Sequence, residues 1–100
     1  MTTVRHSPIT SAEVRAAMFG MPVPGVRVVR QAWRTTADDS DELVLIEARD
    51  GWWVARRISD QLTVWAYAGD MEAEQGFDQL VDAARHSDHA WREATASMLD

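Results

Sequence analysis

Apolar residues recur with two different periods along this chain, and the change of period divides it into helix, sheet and helix. Val14, Ala17, Met18 and Met21 fall at the i, i+3, i+4, i+7 spacing of one helix face. Thr10 and Glu13 have the spacing of a capping box, and Ile9 and Val14 that of a hydrophobic staple. Gly20 suits the C-terminal end, and Pro22, Pro24 and Gly25 make a connector. The spacing therefore predicts a short first helix.

From residue 26 the period falls to two. Residues 26–36 read as a first strand, with Val26, Val28, Val29 and Trp33 as β-formers. Val28 and Val29 are adjacent, which breaks alternation and calls for a bulge or a two-sided strand. The acidic run Thr36 to Asp41 reads as an exposed loop, and the acid pairs Asp38-Asp39 and Asp41-Glu42 are expected to be solvated there. Leu43–Arg49, Trp52–Ile58 and Leu62–Ala68 read as three further strands. Asp50-Gly51 is a strong signal for a two-residue hairpin turn, which would set Arg49 opposite Trp52, Glu47 opposite Val54 and Leu45 opposite Arg56. Ser59-Asp60 makes a second turn.

With two residues in that second turn, the sheet has two unlike faces. One is apolar and mostly small, with Val44, Ile46, Ala48, Ala55, Val64 and Ala66 beside Trp53. The other carries Leu43, Leu45, Glu47, Arg49, Trp52, Val54, Arg56, Trp65 and Tyr67. One more residue in the turn would move Trp65 and Tyr67 across the sheet. The small-residue face is the expected seat of closely packed helices, and the mixed face needs a cover: the first helix, a second copy or another protein.

Helical periodicity returns at Asp70, a good N-cap, with Ala73, Phe77, Leu80, Val81 and Ala84 in one stripe. Gly76 within that stripe costs about 1 kcal/mol relative to Ala, an expense that close approach to the Ala-rich sheet face would offset. Ser87-Asp88 interrupts the pattern, and His89–Leu99 reads as a last helix. The expected fold is α+β in a single domain, residues 1–100: a short N-terminal helix, a four-stranded antiparallel meander and two C-terminal helices packed on one sheet face.

Composition narrows the function. A chain of 100 residues buries roughly 65% of its unfolded surface, enough to fold without staples. With no cysteine, disulfides and thiolate chemistry are excluded. No apolar run reaches signal-peptide or membrane-span length, so the expectation is a soluble, cytoplasmic protein. All ten basic residues are Arg, with no Lys and no Asn, which reads as the codon usage of a GC-rich bacterial or phage genome. The net charge is −6 and the acids concentrate after residue 37, which argues against nucleic-acid or membrane partners.

Candidate chemistry is sparse. Asp82, His86 and His89 have too loose a spacing to specify a metal. There is no nucleophile elbow and no glycine-rich phosphate loop. Three strands followed by a helix also describes AP2-like DNA-binding modules and integrase arm domains. Those read DNA with a basic sheet face, whereas here Glu47 stands among Arg49 and Arg56 and the next helix is acidic. The expectation is a non-enzymatic, cofactor-free, protein-binding regulatory or adaptor module that self-associates, with Arg49, Trp52, Arg56, Trp65 and Tyr67 carrying the binding. Two alternatives are a small acidic inhibitor, docking through Glu72, Glu74, Asp78 and Asp82 on a nucleic-acid-binding surface of its partner, and a small-ligand domain.

Overall fold

In the computed structural model, which describes residues 9–35, 40–48, 51–87 and 91–95, the elements are α1 (Ser11–Met18), β1 (Val26–Thr35), β2 (Ser40–Ala48), β3 (Gly51–Ile58), β4 (Gln61–Tyr67), α2 (Asp70–Ser87) and β5 (Arg92–Thr95). The strands form one antiparallel sheet in the order β4-β3-β2-β1-β5. The α+β class and the four-strand meander follow the alternating pattern. The second C-terminal helix does not: its described part is β5, which pairs with Arg30–Trp33 of β1. The helix-forming composition of this stretch loses to main-chain pairing on an otherwise open strand, as tertiary context commonly overrides propensity.

α1 begins as its sequence dictates. The Thr10 hydroxyl accepts from the Glu13 N–H at 3.1 Å, and Glu13 Oε1 accepts from the Thr10 N–H at 3.1 Å. Each satisfies a donor that the first helical turn leaves open. Gly20, at φ 77°, then reverses the chain in a conformation that costs glycine little.

β1 contains the bulge that Val28-Val29 required. Its pairing with β2 runs Val28↔Ile46 and then Arg30↔Leu45, so Val29 is the extra residue. Val26 and Val28 therefore lie on one face, and Val29, Arg30 and Ala32 on the other. The β2–β3 register differs from the Asp50-Gly51 expectation. Ala48 pairs with Gly51, Glu47 with Trp52 and Leu45 with Val54. Gly51 lacks the positive φ of a type I′ turn and belongs to the strand. A Cβ there would lie 2.7 Å from Trp53 Cζ3, so the glycine makes room for the indole ring. The shift is two residues, so every side chain keeps its expected face. The second turn has two residues, with Ile58 paired to Gln61 and Ser59 at φ 54°. Trp65 and Tyr67 accordingly share a face with Trp52.

The helices sit opposite to expectation. α2 packs on the aromatic face, where Leu43, Leu45, Val54, Ala73 and Phe77 are fully buried and Trp91 closes the β5 end. α1 packs on the small-residue face, against Val44, Ile46, Ala48, Trp53 and Ala55 through Val14 and Met18. The reason lies in how large and small residues are shared. α2 is thin along its inner stripe, at Ala73, Gly76 and Ala84, and the sheet's large rings rise to meet it. A Cβ on Gly76 would lie 2.5 Å from Tyr67 Cζ. Gly76 does allow a close approach to the sheet, but to Tyr67 of the aromatic face and not to the Ala-rich face expected.

Candidate functional site

β3 and β4 carry the predicted aromatic set in cross-strand register: Trp52 opposite Tyr67, Val54 opposite Trp65, Arg56 opposite Thr63. Aromatic and β-branched neighbours of this kind stabilise a sheet by about 0.2–1 kcal/mol per pair. α2 crosses the inner part of this face. Trp52, Trp65 and Tyr67 pack against its core and remain half-buried, so they are anchored beneath the helix while part of each stays accessible. Arg49 lies outside the described residues.

Arg56 has a defined partner. Its Nε and Nη2 donate to the two Asp41 carboxylate oxygens at 3.0 and 2.6 Å, a bidentate pair. Its guanidinium also lies 5.9 Å from the Trp91 ring centroid. On the opposite face, Arg57 pairs with Glu42 at 3.4 Å, and the Gln31 amide also donates to Glu42. Asp41 and Glu42 are therefore buried residues of β2, at 5% and 8% exposure, and not the solvated loop acids expected from composition. Glu42 stands directly opposite Arg57, whereas Asp41 is opposite Ile58 and reaches Arg56 diagonally across the strands; the available signal was two consecutive acids near the start of one strand and two consecutive arginines near the end of the next. An open cleft of about 240 Å³ adjoins this end of the sheet, lined by Gln31, Trp33, Ser40, Glu42 and Arg57 among others.

The predicted acidic docking set is divided. Glu74 and Asp78 reach Arg30 of β1, at 3.7 and 2.7 Å, while Arg30 stacks 4.7 Å from the Phe77 ring centroid. At 100° per residue, Asp82 continues that flank and Glu72 falls on the other side of α2. The Glu72 carboxylate lies back over Gly69, whose carbonyl accepts from the Ala73 N–H at 3.0 Å. His89 lies outside the described residues; among the described residues no group of three or more His, Cys, Asp or Glu could hold a metal ion. No described helix is long and apolar enough to cross a membrane.

The feature that residue-by-residue reading missed is the sheet edge. Among the described residues, β4 pairs only with β3. Its sequence, QLTVWAY, has no charge, no Pro and no Gly, and its pairing is continuous from Gln61 to Tyr67 without a bulge. Natural edges are usually blunted by charge, proline or a bulge. β1 has three arginines and a bulge, and β5 covers part of it. β4 has none of these protections, and Trp65 and Tyr67 flank it. Comparison with protein-family models, with curated proteins and with solved structures finds no match for this chain.

Proposed function

We propose that this chain is a non-enzymatic protein-binding module of regulatory or adaptor type, whose working surface is the β4 edge together with its Trp65 and Tyr67 flank. The observation that carries this reading is the unprotected seven-residue edge strand. An extended partner segment gains main-chain hydrogen bonds by adding to such an edge, and alternate side chains supply specificity. Trp and Tyr are the residues most enriched where binding energy concentrates. Held from below by α2, they lose little further freedom on binding. Arg56 contributes indirectly, by holding this end of β3 against Asp41 and Trp91.

Capture from the source cell by the full chain, compared between wild type and Trp65→Ala, tests the reading. A partner lost with Trp65→Ala while the far-ultraviolet dichroism is unchanged supports it. Equal capture by the two folded proteins counts against it.

The cleft favours a second, small-ligand reading. Glu42 and Arg57 provide opposite charges beside the Trp33 ring, and the buried Arg57 Nε has no hydrogen-bond partner. A thermal-shift screen of small carboxylates and amides tests this: a ligand at 100 times its dissociation constant adds about 2.7 kcal/mol. The acidic-inhibitor reading has less support, because Glu74 and Asp78 are engaged with Arg30 and Glu72 stands apart.

A further inference from the structure

We infer that the segment completing the β4 edge is β4 of a second copy, in an antiparallel, twofold-symmetric pairing centred on Val64. This assignment rests on β4 being the binding edge and names its partner. The argument begins with the length of the strand. Only centring on Val64 pairs all seven residues, Gln61–Tyr67, with their counterparts. The pairing then matches large residues with smaller or more flexible ones. Trp65 faces Thr63 of the second copy, Tyr67 faces Gln61, and Leu62 faces Ala66. An axis perpendicular to the sheet keeps the faces in common, so both α2 helices lie on the same side. Trp65 also lies diagonal to its own counterpart, within reach for aromatic side chains.

Charge points the same way. The chain carries a net charge of −6, so copies repel at most surfaces. β4 is uncharged, and the centred register places Asp60 opposite Ala68 of the other copy and not opposite an acid. Symmetry supplies a further reason. An isologous contact uses both β4 edges at once and closes the assembly at two copies. The opposite edge of the sheet consists of the four-residue β5 and the arginine-bearing part of β1 that β5 does not cover, and is poorly suited to continuing it. α2 meets β4 at Tyr67, against Gly76, and among the described residues nothing pairs with the outer edge of β4.

The test uses the full chain, in which any introduced cysteine is unique. Light scattering coupled to size exclusion measures mass, and a short bis-maleimide measures proximity. Twice the monomer mass is expected, with efficient crosslinking of Val64→Cys. Gln61→Cys should not crosslink, because the two copies of residue 61 stand six residues apart along the strand, or about 20 Å. Thr63→Asp, at an exposed position, sets two like charges diagonally across the new strand pair and one carboxylate opposite each Trp65, and should weaken self-association about fivefold. Mixing it with Thr63→Lys should restore the dimer.

A wild type that stays monomeric at every concentration overturns the second-copy assignment. If Thr63→Asp in that monomer still abolishes capture of a different protein, the strand-binding role of β4 stands. A dimer indifferent to substitution at 63 and uncrosslinked at 64 overturns the β4 interface. If heterologous capture is then also indifferent to Thr63→Asp, the strand-binding role falls with it.

Discussion

Alanine at position 76 measures how closely α2 lies on the sheet. In an exposed helix the change from Gly to Ala stabilises by about 1 kcal/mol. Here the new methyl group would fall 2.5 Å from Tyr67 Cζ and 2.7 Å from Cε1. Carbon atoms in good contact stand about 3.5–4.0 Å apart, so ring or helix must yield by about 1 Å. Overpacking of this kind costs about 1–3 kcal/mol. The helix has little freedom to move, because Ala73 and Phe77 on either side of Gly76 have no exposed surface. The ring must therefore move, and it is the same ring that flanks the β4 edge. The expected net result is a loss of about 1 kcal/mol in the wild type, the packing cost exceeding the propensity gain. In a Tyr67→Ala background the three atoms nearest the methyl group are gone, and Gly76→Ala should gain about 1 kcal/mol. Urea unfolding of the four proteins, followed by far-ultraviolet dichroism, gives both values and a coupling near 2 kcal/mol. A gain of equal size in both backgrounds would refute the packing of α2 described here.

Three other outcomes follow from particular contacts. Asp41→Asn leaves the largely buried Arg56 guanidinium without its bidentate partner and should cost about 2–3 kcal/mol in chemical denaturation; wild-type stability would contradict the pairing. Deleting Val29 removes the bulge and forces Val26 and Val28 onto the face now held by α2, so the protein should lose at least about 2 kcal/mol or its cooperative transition; an unchanged unfolding curve would show that the bulge does not set the faces. Thr10→Ala removes the cap of α1 and should cost about 1 kcal/mol, and no measurable loss in thermal unfolding would count against that cap.

Local signals in the chain proved readable where one short stretch decides the outcome. The Thr10/Glu13 spacing specifies the start of α1, adjacent Val28 and Val29 announce the bulge, and the two-residue Ser59-Asp60 turn places Trp65 and Tyr67 with Trp52. Faces survived even where register did not, because an error of two residues preserves parity. What was hidden depends on contacts between distant segments. Ala-rich strands suggested a seat for helices, but helix–sheet packing needs small residues on only one partner, and α2 supplied them. The Arg92–Thr95 segment has helix-forming neighbours, and only the open flank of β1 makes it a strand. Asp41 and Glu42 resemble loop acids until β3 is placed beside them. The β4 edge is a property of strand order, which no single strand reveals.

The two acid–arginine pairs at one end of the β2–β3 hairpin have a consequence for how the chain reaches its fold. Asp41 and Glu42 are neighbours in sequence, yet their partners Arg56 and Arg57 lie on opposite faces of the sheet. A hairpin that closes one residue out of step turns one strand over relative to the other, so Arg56 would meet Glu42 and Arg57 would meet Asp41. Every carboxylate would still find a guanidinium, whereas Val54 and Trp53 would trade covers. The charged end of the hairpin thus tolerates a misstep while the strands are still in water, and the final alignment is chosen by the apolar side chains when α1 and α2 settle on the two faces.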